Sequence, residues 1–340
     1  YLVDQKGDGK PVLISIEEGE IRHEAADFTP DDKKLLYLTD RDSDWMYLMS
    51  YDLETGEREE VFRPQKWDVR GVCYRHQGTY RVIGVNENAV TRIIIENTKT
   101  GENLEIADLP EGDLTNVSFS RSEKLMRFHL INDNSPSNLF VYDRATGEVR
   151  QLTDNLNPEI QADHLVKSEL ITMKARDGFE FYGYLYKPVK ANSENRVPAF
   201  LMIHGGPGGQ SRPSYSPSKQ FLANHGYAVF DLNYRGSSGF GRSFSMADDQ
   251  KHGREPLWEC VDAKNWLANN VDWIDPEKIG ILGGSYGGYM VMAALAFEPE
   301  EFAVGVNIFG VTNWIRTLKS IPPWWESQKH ALYRDCLLYT

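Results

Sequence analysis

The first half of the chain contains a repeat of about 45 residues, and this repeat constrains the fold more than any other feature. The dipeptide Thr-Gly occurs at 55–56, 100–101 and 146–147, at spacings of 45 and 46 residues. An aromatic residue recurs earlier in each unit, at Phe28, Tyr74 and Phe119, with spacings of 46 and 45 residues. Two independent markers that share one period indicate three copies of one structural unit.

Each unit has the pattern of several short β-strands. Apolar residues alternate or form short buried runs, as in Leu35–Leu38 and Arg81–Val85, and turns rich in Asp, Asn and Gly separate these runs. Units of this length with several strands are typical of β-propeller blades. Residues 1–158 are therefore predicted to form a partial β-propeller of three blades, with the tail of an earlier blade in residues 1–20. An open sandwich of irregular hairpins is the alternative.

From about residue 165 the pattern changes to strand, glycine-rich turn and helix. Short β-rich runs at 199–203, 228–232, 279–282 and 303–308 alternate with helical segments at 256–270 and 287–297. Continuous apolar strands that alternate with helices predict a mostly parallel sheet covered on both faces. An Asp177-Gly178 turn predicts a hairpin at 167–188 that leads into this sheet. Residues 159–340 are thus predicted to form an α/β domain.

The segment Gly283-Gly284-Ser285-Tyr286-Gly287 matches Gly-x-Ser-x-Gly, the nucleophile elbow of α/β hydrolases. A predicted strand precedes it and a buried helix follows, and glycines are needed because side chains would clash in so tight a turn. Ser285 would stand over the helix N-terminus, where free N–H groups and the helix dipole stabilise negative charge. We predict that Ser285 is the nucleophile. A phosphate-binding turn is the alternative, but no P-loop lysine follows.

A second motif, His204-Gly205-Gly206-Pro207, follows the β-rich run at 199–203. In α/β hydrolases the loop after the third strand supplies one N–H of the oxyanion hole, and the residue after the nucleophile supplies the other. Gly206 and Tyr286 are therefore predicted as the oxyanion donors, and the missing side chain at Gly206 would let the substrate oxygen approach. A plain glycine turn is the alternative. We interpret His204, which precedes the serine and ends a strand, as a support for this loop rather than as the catalytic base.

These motifs, together with Asn233–Gly241 and the propeller repeat, resemble the prolyl oligopeptidase family of serine peptidases, in its acylaminoacyl- and dipeptidyl-peptidase-like branch. The resemblance implies that short peptides are hydrolysed through an acyl-enzyme and that the propeller lies over the active site as a size filter. It also implies that Val311 and Trp314, with Tyr286, line an apolar or proline-sized specificity pocket. Ordinary core packing is the alternative role for each of these three residues.

An activated serine needs a histidine base and an acid, which in this fold follow it in the order serine, acid, histidine. After Ser285 the chain contains one histidine, His330, and its only later aspartate, Asp335, follows that histidine. The later glutamates are Glu298, Glu300, Glu301 and Glu326. All of these come before two further strands could form. We therefore expect the triad acid and base beyond Thr340, and expect these 340 residues to be a nearly inactive middle portion of a larger enzyme.

Composition argues against several other classes of function. Lys and Arg number 37 against 50 Asp and Glu, and this net charge of −13 disfavours binding to nucleic acid or to an anionic membrane. No apolar run approaches the ~20 residues of a transmembrane helix. The three cysteines, Cys73, Cys260 and Cys336, have no Cys-x-x-Cys spacing, so no metal site and no cofactor are expected. Such scattered thiols favour the cytoplasm, and a periplasmic or secreted protein stays open. Nothing indicates an oligomeric state.

Two other functions share the same motifs. A carboxylesterase uses the same elbow and oxyanion hole, although it gains nothing from a size filter. A non-catalytic propeller protein with a dead hydrolase domain would leave Ser285 unreactive towards a fluorophosphonate. The sequence does not distinguish removal of dipeptides from removal of acylated residues or cleavage of internal bonds. No paired-glutamate motif for a free amino terminus is evident, which disfavours strict dipeptidyl activity.

Overall fold

The structure is a computed structural model that describes residues 1–3, 7, 9–15, 21–75, 77–107, 109–323 and 325. Its first half consists of three antiparallel sheets, in each of which the strands pair in chain order. The strands are β1 (His23–Phe28), β2 (Lys34–Thr39), β3 (Tyr47–Asp52) and β4 (Arg58–Phe62), then β5 (Asp68–Tyr74), β6 (Tyr80–Glu87) and β7 (Val90–Asn97), then β8 (Asp113–Phe119), β9 (Leu125–Asn132), β10 (Ser135–Asp143) and β11 (Val149–Gln151). The expected blade-like meanders are therefore present.

Two details of the blades differ from the expected pattern of four strands per blade. The second sheet has three strands, and a single bridge between Glu96 and Asn103 takes the place of a fourth. Among the described residues of 1–20, where the tail of an earlier blade was expected, one bridge pairs Leu2 with Val12. Short polar segments such as 98–104 lack the alternating apolar residues that would extend this pairing into a strand.

The Thr-Gly repeat marks the same turn in all three sheets. The glycine N–H donates to the carbonyl oxygen four residues earlier, from Gly56 to Asp52, from Gly101 to Asn97 and from Gly147 to Asp143, at 3.0, 2.7 and 2.8 Å. The three glycines have φ values of 76°, 75° and 74°, in the left-handed region that side chains disfavour. In each turn the Asp or Asn side chain accepts a backbone N–H two residues further on. The sequence repeat is therefore a repeat of backbone geometry.

Aspartates at the start of the second and third sheets join each sheet to the one before it. Asp68 accepts a hydrogen bond from the Met46 N–H at 2.8 Å, and Asp113 accepts one from the Thr91 N–H at 2.9 Å. The aromatic markers Phe28, Tyr74 and Phe119 each end the first strand of their sheet. Equivalent contacts at equivalent positions place the three sheets side by side, as blades of a propeller lie.

The second half forms a six-stranded sheet in the order β12-β13-β15-β14-β16-β17. Its strands are β12 (Ser168–Lys174), β13 (Glu180–Tyr186), β14 (Val197–Ile203), β15 (Ala228–Asn233), β16 (Ile274–Gly284) and β17 (Gly305–Ile308), and its helices are α1 (Pro217–Asn224), α2 (Arg242–Ser245), α3 (Glu255–Asn270), α4 (Tyr286–Phe297) and α5 (Trp314–Lys319), with a 3-10 turn at Ala162–His164. β12, β13 and β15 pair antiparallel, as the predicted hairpin requires, and the remaining pairs are parallel. The mostly parallel sheet is confirmed.

The two halves are in contact. Trp67 of the blades lies 6.4 Å from Phe240 between ring centroids, and Phe240 stacks on Tyr182 of β13 at 4.9 Å. Asp133, which follows β9, accepts hydrogen bonds from the Tyr186 hydroxyl at 2.6 Å and from the Ser168 N–H at 2.9 Å. The predicted boundary at 158/159 falls between the end of β11 and the start of β12. No helix in the described ranges is long and apolar enough to cross a membrane.

Replacing Gly101 with alanine tests whether the repeated turn depends on its left-handed glycine. A Cβ at Gly101 would meet no atom within 4 Å, so any loss comes from backbone strain alone. We expect Gly101→Ala to lower the free energy of unfolding by about 1–2 kcal/mol. Gly71 is the matched control, because its Cβ also has open space and its φ is not left-handed. Thermal unfolding of the two variants should separate them, and equal melting temperatures would contradict the assignment.

Candidate active site

Ser285 occupies a sharp turn between a strand and a helix. β16 ends at Gly284, α4 begins at Tyr286, and Ser285 between them has φ 56° and ψ −118°. The backbone is held in this unfavourable conformation by its neighbours. The Ser285 N–H donates to the Ile308 carbonyl at 3.1 Å, and the Ser285 carbonyl accepts from the N–H groups of Tyr289 and Val311 at 3.1 and 3.4 Å. The serine is exposed at the carboxyl end of the sheet.

Two glycines of the elbow are required by backbone contacts. A Cβ at Gly287 would lie 2.0 Å from the Ile203 carbonyl oxygen, and one at Gly283 would lie 2.4 Å from the Gly287 carbonyl oxygen. Backbone atoms cannot yield as a flexible side chain can. The sequence-based reason for these glycines is therefore confirmed: α4 packs directly on the end of β14, leaving no room for a side chain.

The structure brings the His204–Pro207 loop against the serine, but through Gly205. A Cβ at Gly205 would lie 3.3 Å from the Ser285 Cβ and 3.8 Å from its Oγ. At Gly206, where φ is 132°, a Cβ would instead meet the Gly208 nitrogen at 2.4 Å. Gly206 is thus needed for the fold of its own loop, and a side chain at Gly205 would face the serine; the Gly206 N–H as an oxyanion donor stays a prediction. Only the tertiary contact separates the roles of these adjacent glycines.

Tyr286 has its backbone and its side chain in different environments. Its N–H is the first of α4 and so lies outside the hydrogen-bonding ladder of the helix. Its side chain is fully buried, and the hydroxyl lies 2.8 Å from Nδ1 of His252. Burial raises the pKa of the Tyr286 phenol well above its usual range, so the side chain is neutral. The helix does not use this amide, and its role as an oxyanion donor stays a prediction.

The two predicted pocket residues lie beside the elbow, beyond the edge strand β17. The Val311 N–H approaches the Ser285 carbonyl as described above, and Trp314 opens helix α5. The Trp314 ring lies 6.0 Å from the ring of Tyr286 and 5.1 Å from that of Tyr289. Both Val311 and Trp314 are half-buried. Val311 thus reaches the elbow through its backbone and Trp314 through its ring, and contact of either side chain with a substrate stays a prediction.

His204 supports its loop. Its Nε2 lies 2.8 Å from the Ser237 Oγ, its Nδ1 lies 2.8 Å from the Gly205 carbonyl oxygen, and its ring stacks on Tyr234 at 4.5 Å. Burial lowers the pKa of His204, which keeps the imidazole neutral. Its nitrogens are therefore engaged by the loop and by Ser237 rather than by Ser285.

The motif Asn233–Gly241 connects this loop to the blades, a role that sequence analysis did not assign. At its start, the Asn233 side chain accepts from the Ser211 N–H at 2.8 Å and donates to the Ser211 carbonyl at 2.9 Å. At its end, a Cβ at Gly241 would lie 2.4 Å from Asp44 of the first blade, and the next N–H donates to the Asp44 carbonyl at 2.6 Å. One segment thus touches both the candidate oxyanion loop and the propeller.

The described residues do not supply a histidine in contact with the Ser285 hydroxyl. His330 and Asp335, like Glu326 and Cys336, lie outside the described residues. Glu301 forms an ion pair with Lys264 at 3.1 Å instead of pointing to the serine. Cys73 and Cys260 are both free thiols.

A buried carboxyl group lies beside His252 and Gly236. Asp248 is almost fully buried, its Oδ2 lies 3.5 Å from Nδ1 of His252, and a Cβ at Gly236 would meet its carboxyl at 2.2 Å. Burial, with the nearby charges of Asp249 and Glu259, raises the pKa of Asp248 to about 8, against a smaller opposing effect of Arg235. The group is therefore largely protonated in neutral solution.

Comparison with known proteins connects this site to a family. Residues 213–337 match the family model described as "Prolyl oligopeptidase family". Dipeptidyl aminopeptidase BIII of Pseudoxanthomonas mexicana is 29% identical over 304 residues, which cover 87% of this chain and 44% of that protein. Dipeptidyl peptidase 8 of Homo sapiens is 35% identical over 152 residues, which cover 43% of this chain and 17% of that protein. The chain spans less than half the length of these curated relatives.

Solved structures share the fold. The puromycin-hydrolyzing peptidase of Mycobacterium tuberculosis superposes with a TM-score of 0.82 at 18% identity, over 96% of this chain and 50% of that one. The acylaminoacyl peptidase of Pyrococcus horikoshii gives 0.75 at 21% identity, over 97% and 51%. The fold is thus that of propeller-like blades followed by an α/β hydrolase. The match over residues 213–337 confirms the resemblance to the prolyl oligopeptidase family that the motifs predicted.

A pair of elbow substitutions tests the packing of α4 on β14. Gly287→Ala would place a methyl group into the Ile203 carbonyl, and we expect it to lower the free energy of unfolding by about 1–3 kcal/mol or more. Gly284→Ala is the control, because its nearest contact, the Ile308 carbonyl oxygen at 3.6 Å, is ordinary. It should change stability by less than about 0.5 kcal/mol. Denaturant unfolding of both variants measures the difference, and a tolerated Gly287→Ala would refute the close contact.

The raised pKa of Asp248 predicts how stability depends on pH. Between the usual carboxyl pKa and about 8, the native state binds more protons than the unfolded state, so stability falls as pH rises. Asp248→Asn removes this effect, and the melting temperature lost between pH 5 and pH 9 should shrink by about 3 °C or more. Asp275→Asn is the control, because the hydrogen bond from Lys278 lowers the pKa of that half-buried carboxyl out of this range. An unchanged profile for Asp248→Asn would contradict the burial effect.

Proposed function

We propose that the protein is a serine peptidase that cleaves short peptides through an acyl-enzyme on Ser285. The observation that carries this proposal is the elbow itself: an exposed serine with a left-handed φ of 56°, above the N-terminus of α4 and against the His204–Pro207 loop. The match of residues 213–337 to the prolyl oligopeptidase family supports a peptide as the substrate.

We propose the following reaction at this site. The Ser285 Oγ attacks the carbonyl carbon of the scissile peptide bond and loses its proton to a base. The oxyanion that forms accepts hydrogen bonds from the N–H groups of Gly206 and Tyr286. Collapse of this intermediate breaks the C–N bond, and the amine leaves with a proton. Water then hydrolyses the acyl-enzyme and regenerates the serine hydroxyl.

Two apolar residues beside the elbow support a preference for the residue that precedes the scissile bond. The half-buried side chains of Val311 and Trp314 offer an apolar surface, which favours an apolar residue or proline there, whereas the ring of Tyr286 is fully buried. No base is assigned to Ser285 among the described residues. The propeller-like blades, which contact the motif Asn233–Gly241, support short peptides over folded proteins as substrates.

The full-length product of the gene tests this proposal. We expect it to hydrolyse an aminoacyl anilide and to be labelled at Ser285 by a fluorophosphonate, whereas Ser285→Ala should lose at least ~1000-fold in kcat and all labelling. The control is Ser238→Ala, a serine of the supporting motif that leaves the elbow intact. Turnover of a nitrophenyl ester without turnover of the anilide would favour a carboxylesterase instead. Absence of labelling would favour a non-catalytic protein.

A further inference from the structure

A buried histidine outside the family motifs touches both predicted functional residues beside the serine. The side chain of His252 is 1% exposed and lies in the segment between α2 and α3. Its Nδ1 lies 2.8 Å from the Tyr286 hydroxyl. Its ring is also nearly parallel to that of Trp314, at 25° and 6.1 Å between centroids. One imidazole thus contacts both Tyr286, which carries a candidate oxyanion N–H, and Trp314, which is predicted to line the specificity pocket.

The segment that carries His252 is packed closely on α4. Gly253 has φ 84°, and a Cβ there would lie 2.2 Å from the Tyr289 hydroxyl, so only glycine permits this approach. Asp248 lies four residues before His252, with its carboxyl Oδ2 3.5 Å from the same Nδ1. His252 is therefore fixed on one side by Asp248 and Gly253, and it can in turn fix Tyr286 and Trp314.

We propose that His252 is a positioning residue for the peptidase reaction, which sets both the oxyanion N–H of Tyr286 and the apolar wall formed by Trp314. This inference rests on the function proposed above. The hydrogen bond holds the ring of Tyr286, and because the ring and the N–H belong to the same residue, holding one restrains the other. The stacked contact between the His252 and Trp314 rings fixes the position of the Trp314 side chain. The two contacts are separable, since one needs a polar atom and the other needs a ring.

Three substitutions in the full-length protein separate these contacts. His252→Asn keeps a polar atom near the position of Nδ1 and removes the ring. His252→Phe keeps the ring and removes the polar atom, which leaves the buried Tyr286 hydroxyl without its partner. His252→Leu removes both. Anilides that carry either alanine or phenylalanine before the scissile bond measure kcat and KM, and thermal unfolding measures stability. His225→Asn, on an exposed histidine after α1, is the control and should change neither parameter.

We expect His252→Phe to lower kcat about tenfold on both anilides and to leave their ratio of kcat/KM unchanged, because the amide moves and the wall stays. His252→Asn should keep most of kcat on the alanine anilide and lose about tenfold in kcat/KM on the phenylalanine anilide. His252→Leu should show both losses. Removal of a whole oxyanion donor lowers kcat about 100- to 1000-fold. A tenfold loss is therefore the size expected when the donor is displaced rather than removed, and steady-state kinetics can measure it.

Two results would overturn the inference while leaving the proposed function intact. One is wild-type kinetics from all three variants. The other is an equal loss of kcat/KM on both anilides in His252→Asn and His252→Phe, in proportion to the fall in their melting temperatures. That result would indicate a purely structural role for His252. A wild-type protein that neither cleaves the anilides nor reacts with a fluorophosphonate would instead overturn the proposed function, and this inference with it.

Discussion

The rest of the candidate site depends on the backbone contact between helix α4 and strand β14. Gly287 approaches the Ile203 carbonyl so closely that a Cβ would lie only 2.0 Å from the oxygen. The parallel register sets Ile203 opposite Gly283, so two neighbouring strands end at the same level. The loop that follows β14 and the serine that follows β16 therefore lie next to each other. The strained backbone of Ser285 persists because hydrogen bonds hold it from several sides.

Polar contacts extend this arrangement outwards. His204 is held by Ser237 and Tyr234, and the adjoining Arg235 forms a buried ion pair with Glu259 at 2.5 Å while also donating its N–H to that carboxylate. Buried polar groups stabilise a unique geometry only when each has its partner. The same chain segment then reaches the blades at Asp44. Hydrogen bonds thus connect the propeller-like half to the loop beside the serine. Because hydrogen bonds are directional, they orient this loop more closely than a purely apolar interface would.

Features with a local cause could be predicted from the sequence. The three Thr-Gly turns share hydrogen bonds within five residues, and the elbow glycines are required by one tight turn, so both appear as short motifs. Elements that depend on distant partners were missed. Helices α1, α2 and α5 have 8, 4 and 6 residues, too few to show a helical period. The 45-residue period also predicted a fourth strand in the second sheet, where the structure has a single bridge. The period alone does not distinguish a full strand from one bridged pair.

The candidate site divides in the same way. The order strand, Gly-x-Ser-x-Gly, helix determines that Ser285 projects from a turn, since the backbone has no other way to pass from strand to helix in so few residues. Only the packed structure decides that Gly205 rather than Gly206 faces the serine, and that His252 lies under Tyr286 from 34 residues away. Local conformation is set by neighbours along the chain, whereas contact between distant residues is set by how strands align and helices pack on them.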